Sequence, residues 1–177
     1  MKNNFTWQEK FERARSLARE AHKDQRYGDL PYESHLQAVV NVLQSFGATL
    51  EDEKCAPLLV AAWLHDALED TELDFEIIRD EFGLEVAEIV RRVTDEPGKN
   101  RKERKAATYR KTKESAAAVA VKLADRIANV AASKSGNPKL FAMYAKEQPE
   151  FYRALYEQSN DELTNDLWRC LNSYFED

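Results

Sequence analysis

The sequence predicts an all-α protein, and three observations support that prediction. Only five glycines and five prolines occur among the 177 residues, and β-branched residues rarely cluster as they do in strands. Apolar residues recur at intervals of about three to four residues, the spacing of one helix face. Residues 55–64 and 115–132 are apolar almost throughout, which indicates helices buried on all sides. We therefore expect about eight helices.

The first two helices are predicted from the residues at their ends. Thr6 and Glu9 fit a capping box, and apolar residues continue at helical spacing from there to a loop at residues 22–32. That loop contains both glycine and proline, which are common at turns. Ser34 is the expected N-cap of the second helix, and Gly47 is its expected left-handed end.

The third helix is the first of the two buried ones. We expect it from about residue 50 to Leu68, with Pro57 either in its first turns or starting it afresh. The later helices are expected from their apolar spacing at residues 74–82, 84–93, 115–132, 141–156 and 161–175. The segment 99–113 is expected to be part loop and part helix.

Composition and length place the chain among cytoplasmic globular proteins. No repeat, low-complexity tract or linker divides it, which predicts one domain over residues 1–177. No apolar run approaches the ~20 residues that a membrane span needs, and the N-terminus lacks the apolar core of a signal peptide. Cys55 and Cys170 form no disulfide framework, so we expect reduced thiols and a cytoplasmic location.

The charges are unevenly distributed along the chain. The net charge of −6 argues against general nucleic-acid binding. Residues 99–113 carry eight basic side chains and one acidic one, a net +7 that leaves the rest of the chain at −13. A basic segment on an acidic protein suggests a small polyanionic ligand, although a solvated loop and helix face would have the same composition.

An acidic cluster follows the buried helix directly. His65, Asp66, Glu69 and Asp70 stand within six residues, and like charges one helical turn apart destabilise a helix. Burial would increase that cost, so a cation is expected nearby, with a divalent metal the simplest candidate. A frayed, solvated helix end would also tolerate these charges.

Two further residues could join this cluster from other helices. His35 lies in the first turn of the second helix, where a histidine is more often a surface or capping residue than a ligand. Asp125 interrupts the apolar stretch at residues 115–132 and shares one helix face with Lys122 and Asn129, although Arg126 could equally neutralise it. A set of two imidazoles and two carboxylates suits manganese, iron, zinc, cobalt or nickel.

Several motifs together resemble the HD-domain hydrolases. They are Tyr32-Glu33-Ser34-His35, the string from Leu64 to Thr71 (LHDALEDT), Phe82-Gly83-Leu84-Glu85-Val86, Val93-Thr94-Asp95, and the string from Val121 to Asn129 (VKLADRIAN). More narrowly, they resemble the hydrolase module of the RelA/SpoT homologues and the small alarmone hydrolases. The resemblance covers about residues 10–135, and helices at residues 139–175 are expected to pack on this core.

This resemblance implies a reaction and a set of site residues. The family removes the 3′-pyrophosphate of guanosine tetra- or pentaphosphate, and its metal is typically Mn²⁺. The implied metal ligands are His35, His65, Asp66 and Asp125. The implied catalytic acids, which activate or orient the attacking water, are Glu69 and Asp70. The implied substrate contacts are Arg26, Lys23, Asn129, Lys102, Arg104 and Lys105.

Two departures from the family pattern concern substrate recognition. Leu36 stands where a proline commonly follows the first histidine, and the loop at residues 22–32 is about one residue shorter than usual. Which of Lys23, Arg26 or Tyr27 meets the base is therefore open. The ligand set is unaffected.

Other functions fit the same residues. An HD-type phosphatase acting on the 2′-phosphate of NADPH or on a nucleoside monophosphate would have the same metal ligands, and a nucleotide-binding regulator with a vestigial centre is a third reading. The expected partner is a small guanine nucleotide, with no nucleic acid and no membrane. The oligomeric state is left open between a monomer and a dimer.

Overall fold

Ten α-helices and one two-stranded ribbon make up the part of the chain that the computed structural model describes, residues 5–157 and 161–176. The first five helices are α1 (Trp7–Ala21), α2 (Glu33–Ser45), α3 (Ala56–Leu64), α4 (Ala67–Asp70) and α5 (Phe75–Phe82). The other five are α6 (Leu84–Val93), α7 (Arg101–Thr112), α8 (Ala116–Gly136), α9 (Pro138–Leu155) and α10 (Glu162–Ser173). The prediction of an all-α protein is confirmed, with two helices more than expected.

Helix α3 is the centre of the hydrophobic core. All nine of its residues are buried, and α1, α2, α6 and α8 pack around it. Burial of each of its leucine side chains contributes about 1.5–3 kcal/mol, which is why a helix with no polar face is stable here. The helix begins at Ala56 rather than near residue 50, after bends and turns at residues 50–55, and Pro57 lies in its first turn.

The same helix is shorter than the sequence indicates, because it ends at Leu64 rather than at Leu68. The His65 Nδ1–H donates to the Ala62 carbonyl over 2.8 Å, and Asp66 has a ψ of −1°, away from helical values. A new turn, α4, then begins, and the Asp66 carbonyl accepts from the backbone N–H groups of Glu69 and Asp70. The break separates His65 and Asp66 from the two carboxylates that follow.

The loop predicted at residues 22–32 contains a small antiparallel ribbon. Its strands are Arg26–Tyr27 and Leu30–Pro31, joined by a turn in which Gly28 has a φ of +60°. Ser34 does not cap α2 as expected. Its hydroxyl instead donates to the Pro31 carbonyl over 2.7 Å, and the helix begins at Glu33, two residues earlier than a Ser34 cap would place it.

Helix α8 runs four residues beyond its predicted end. Only Asn137 separates it from the next helix, and the Asn137 side chain accepts from the backbone N–H of Leu140 and so starts α9 at Pro138. Helices α9 and α10 both pack against α8. The basic segment is loop up to Asn100, which caps α7.

None of the helices in the described part of the chain has the length and apolar character to cross a lipid bilayer. Both cysteines, Cys55 and Cys170, are free.

Candidate active site

Four side chains from three parts of the fold meet at one point. His35 projects from α2, His65 and Asp66 from the break after α3, and Asp125 from α8. The His65 Nε2 atom lies 3.0 Å from Asp66 Oδ2, and the His35 Nε2 atom lies 3.3 Å from Asp125 Oδ1. Each imidazole is also 3.7 Å from the other carboxylate. The structure therefore brings together all four residues that the resemblance names as metal ligands.

His35 is a buried residue and not the surface or capping residue that its position in the first turn of α2 suggests. It is 3% exposed, because α2 packs directly against α8 and α3. The Tyr27 ring stacks on it with centroids 4.7 Å apart, so the β-ribbon covers the imidazole from the outside.

The arrangement of His65 fits a bound cation. Its Nδ1–H is engaged by the Ala62 carbonyl, so the Nε2 atom of the neutral ring carries a lone pair. That lone pair is buried, has no hydrogen-bond partner among the described residues, and faces the Asp66 carboxylate. A lone pair against an anion is unfavourable unless positive charge lies between them. Ligand atoms of His35, His65 and Asp66 all lie within 4.8 Å of one another, and two imidazoles with carboxylates suit a divalent transition metal.

The electrostatics of this cluster also favour positive charge. Burial by itself would raise the pKa of Asp66 and of Asp125, but the neighbouring histidines lower both well below the usual range. Burial likewise opposes a charge on His65, yet the two carboxylates raise its pKa well above the usual value. The carboxylates thus stay ionised and attract either a proton or a metal ion.

Asp125 has neighbours along its own helix. Lys122 Nζ lies 3.7 Å from Asp125 Oδ2 and donates to the Val93 carbonyl, and Asn129 Nδ2 donates to Asp125 Oδ1 over 2.6 Å. These contacts follow the shared helix face that the sequence indicates. Arg126, the alternative partner, pairs with Glu147 on α9 at 3.1 Å instead of with Asp125.

Glu69 and Asp70 occupy α4, at the mouth of the site. Burial raises the pKa of both carboxyl groups, with nearby carboxylates adding to the effect. The Asp95 backbone N–H donates to Glu69 Oε2 over 3.1 Å and fixes one side of that group. Both residues keep exposed surface, and they line the same cavity as His35, Asp66 and Asp125. They are placed to exchange protons with a molecule bound there.

The cavity at this site has a volume of about 200 Å³. Of the predicted substrate contacts, Lys105 and Asn129 line it, and Lys102 lines an adjoining cavity of about 400 Å³ that also includes Lys105. Three predicted contacts line neither cavity: Lys23, Arg26 and Arg104. Lys23 pairs with Glu20, and the exposed Arg26 donates to the Asp29 carbonyl within its own hairpin.

The sequence prediction missed several residues of the cavity wall: Tyr32, Asp95, Arg101, Tyr109, Lys122, Arg126, Tyr144 and Phe151. Tyr32 could have been found from the Tyr-x-x-His spacing, which puts it about one helical turn before His35. Its hydroxyl donates to Asp66 Oδ2 over 2.6 Å. The α7 and α9 residues carry no such local signal, because only the packing of α7 on α9 brings them to the site.

Comparisons with known proteins agree with this geometry. The family model described as HD domain matches residues 14–158. A Drosophila melanogaster protein, guanosine-3′,5′-bis(diphosphate) 3′-pyrophosphohydrolase MESH1, is 34% identical over 131 residues, which cover 72% of this chain and 71% of that protein. The Xenopus tropicalis protein of the same name is 36% identical over 130 residues, covering 71% and 70%.

A solved structure shares the fold. It is described as a metazoan ortholog of SpoT that hydrolyzes ppGpp, and it superposes with a TM-score of 0.76 at 27% identity, covering 94% of this chain and 93% of that one. The family match, the two relatives and this structure lead to one conclusion: the chain belongs to the HD-domain family and is a relative of its guanosine-3′,5′-bis(diphosphate) 3′-pyrophosphohydrolases.

Proposed function

We propose that this protein is a metal-dependent phosphohydrolase that removes the 3′-pyrophosphate of guanosine tetra- or pentaphosphate, giving GDP or GTP and pyrophosphate. The observation that carries the proposal is the meeting of two histidines and two aspartates beside Glu69 and Asp70, in a chain 34% identical to a hydrolase named for this reaction.

A divalent metal, for which we propose Mn²⁺, would be held by His35, His65, Asp66 and Asp125. Such an ion supplies Lewis acidity toward a phosphoryl oxygen and lowers the pKa of bound water. The orphaned Nε2 lone pair of His65 supports this assignment. The Ala62 carbonyl holds the imidazole in the tautomer that a ligand at Nε2 needs.

Glu69 and Asp70 would handle the protons of the reaction. Burial raises the pKa of each carboxyl group, which is the direction that favours a proton-exchanging role at a carboxyl group. The hydrogen bond from the Asp95 backbone leaves one oxygen of Glu69 free to orient the attacking water or receive its proton.

Substrate phosphates would be held by basic and polar side chains that line the cavity. Lys105 and Asn129 are the best-supported contacts among those predicted, and Arg101 joins them because it lines the same space. Lys102 would reach the distal part of the nucleotide from the adjoining cavity. Arg26, Lys23 and Arg104 have less support, because none of them lines either cavity.

We further propose that residues 1–177 act as one hydrolase unit and that the protein works in the cytoplasm. The single contiguous hydrophobic core and the two free cysteines support these assignments. A small guanine nucleotide is the proposed partner.

The test is a substrate panel with added Mn²⁺ and identification of the products. We expect pyrophosphate release from ppGpp, and we expect the double variant Glu69→Ala, Asp70→Ala to lose it while still binding Mn²⁺. Release of the 2′-phosphate from NADPH with no turnover of ppGpp would overturn the proposed substrate. Binding of ppGpp without turnover under any divalent metal would overturn the enzymatic role.

A further inference from the structure

His22 is the one histidine that the candidate metal cluster does not include. It caps the C-terminus of α1 and is 2% exposed, so it belongs to the interior of the protein. Its ring makes two contacts, one by hydrogen bonding and one by stacking. Each contact leads, through one intermediate residue, to a different residue of the candidate active site.

The hydrogen-bonded contact runs through Gln25. The Gln25 Nε2 atom donates to the backbone carbonyl of Asp70 over 2.7 Å. A carbonyl oxygen only accepts, so the orientation of the Gln25 amide is determined and its Oε1 atom faces His22. The His22 Nδ1–H therefore donates to that Oε1 atom, over 2.8 Å. This chain of two hydrogen bonds ties the end of α1 to the end of α4.

The stacked contact runs through Tyr32. The His22 and Tyr32 rings lie 4.8 Å apart with an angle of 18° between their planes. The Tyr32 hydroxyl donates to Asp66 Oδ2 over 2.6 Å. A carboxylate oxygen accepts, so the phenol is the donor in this contact. The His22 ring is a flat support that limits rotation of Tyr32 away from Asp66.

Stability alone does not account for a histidine at this position. The His22 Nε2 atom is buried and has no hydrogen-bond partner among the described residues. A buried polar atom without a partner destabilises the folded state, and an apolar ring of similar size would avoid that cost. An apolar ring could keep the stacking contact of His22, but it could not replace the hydrogen bond that the Nδ1–H donates to Gln25.

We propose that His22 is a positioning residue, which holds Asp66 in place through Tyr32 and holds the Asp70 turn in place through Gln25. The activity half of this proposal rests on the proposed hydrolase function. The metal-binding half does not, because it is measured without any nucleotide.

Two substitutions separate the two contacts. His22→Phe keeps a ring to stack on Tyr32 and removes the donor to Gln25. His22→Asn keeps an N–H donor near the Nδ1 position and removes the ring. Partners that orient ligands or catalytic groups are typically worth about 10–100-fold in metal affinity or activity. We therefore expect His22→Phe to lower kcat for ppGpp about tenfold with little change in Mn²⁺ affinity, and His22→Asn to weaken Mn²⁺ binding about tenfold.

The measurements are calorimetric titration of the purified protein with Mn²⁺ and pyrophosphate release at saturating Mn²⁺. Tyr32→Phe removes the hydroxyl and should reproduce the metal defect of His22→Asn, and the double variant should be little worse than either single one. Leu171→Ala deletes buried side-chain atoms on α10, away from the site, and is the control for lost stability. It should lower Tm and leave both the metal affinity and kcat near those of the wild type.

The proposal fails if both His22 variants lower only Tm, as Leu171→Ala does, or if both lose Mn²⁺ affinity and kcat together. If the wild type itself turns over no ppGpp, the proposed function fails. The Mn²⁺ titrations of His22→Asn and Tyr32→Phe then still decide whether His22 supports Asp66.

Discussion

The backbone N–H of Asp95 donates a hydrogen bond to the Glu69 carboxylate over 3.1 Å. The Asp95 side chain is itself held by Lys105 Nζ at 2.8 and 3.0 Å. The loop between α6 and α7 therefore fixes the position of Glu69, and α7 fixes the loop. One oxygen of the Glu69 carboxylate is thus held in place, and this determines where its other, free oxygen lies.

Glu69→Asp tests whether the position of this free oxygen matters for catalysis. The shorter side chain cannot keep the Asp95 hydrogen bond and also reach the position that its free oxygen now occupies. A displacement of about 1 Å costs about 100-fold in rate, so we expect kcat for pyrophosphate release to fall by about that factor while Mn²⁺ affinity is retained. Glu72→Asp, at an exposed position just after α4, is the matched control and should not change kcat. Equal rates for Glu69→Asp and wild type would show that the orientation of Glu69 is unimportant.

Metal binding should stabilise the fold measurably, because the proposed ligands come from α2, α8 and the end of α3. A ligand at about 100 times its Kd adds about 2.7 kcal/mol, and for a chain of this length each kcal/mol shifts Tm by about 2–4 °C. We expect Mn²⁺ to raise the Tm of EDTA-treated protein by about 5–10 °C. Asp125→Asn should abolish that rise.

The control for this experiment is Asp24→Asn, at an exposed position before the β-ribbon. It should keep the full Mn²⁺-dependent rise in Tm. A rise that persists in Asp125→Asn would mean that the ion binds elsewhere on the protein.

Lys122 should be a major determinant of stability. Its buried ammonium group donates to the Val93 carbonyl and lies 3.7 Å from Asp125 and 3.9 Å from Asp95. Burial opposes its charge, but these carboxylates raise its pKa above the usual value. Lys122→Met would leave both anions without this compensation, and removing one partner of a buried ion pair costs about 3–5 kcal/mol.

Urea denaturation at neutral pH measures this cost. Lys105→Met is the matched control, because Lys105 also pairs with Asp95 but its side chain is 21% exposed. It should cost less than Lys122→Met, since water compensates part of the lost charge. If the two variants lost the same free energy of unfolding, burial of Lys122 would not explain its contribution to stability.

The acidic cluster at residues 65–70 was readable from the sequence because its members are neighbours along the chain. His35 and Asp125 joined it only through the resemblance, since spacing cannot show that α2 and α8 meet. The end of α3 was predicted too late. Helical periodicity cannot show that the His65 side chain, and not a backbone N–H group, donates to the Ala62 carbonyl.

The partner of Arg126 also could not be predicted from the neighbouring residues in the sequence. Its neighbour Asp125 was a reasonable candidate, but adjacent residues on a helix point in different directions. Arg126 turns toward α9, where it meets Glu147 and the Tyr144 carbonyl. Contacts of this kind depend on how α9 lies over α8, and no spacing in the sequence encodes that arrangement.

Glu147 provides a test of how pH affects stability. It bridges Arg101 on α7, at 2.6 Å, and Arg126 on α8, at 3.1 Å. Burial opposes its charge, but the two guanidinium groups lower its pKa below the usual 4.5. Because the folded-state pKa is the lower one, the carboxylate stabilises the fold above about pH 4.5, and this contribution is lost as pH falls through the folded-state pKa.

Glu147→Gln should therefore lower the free energy of unfolding at pH 7 by about 1.5–3 kcal/mol, the value of hydrogen bonds to charged groups. The difference from wild type should shrink as pH falls below about 4.5, because the wild-type carboxyl group then becomes protonated as well. Urea denaturation of both proteins across this pH range measures the difference. Glu150→Gln, an exposed position on the same helix, should stay close to wild type at every pH. A difference between Glu147→Gln and wild type that is independent of pH would show that the two ion pairs contribute nothing through charge.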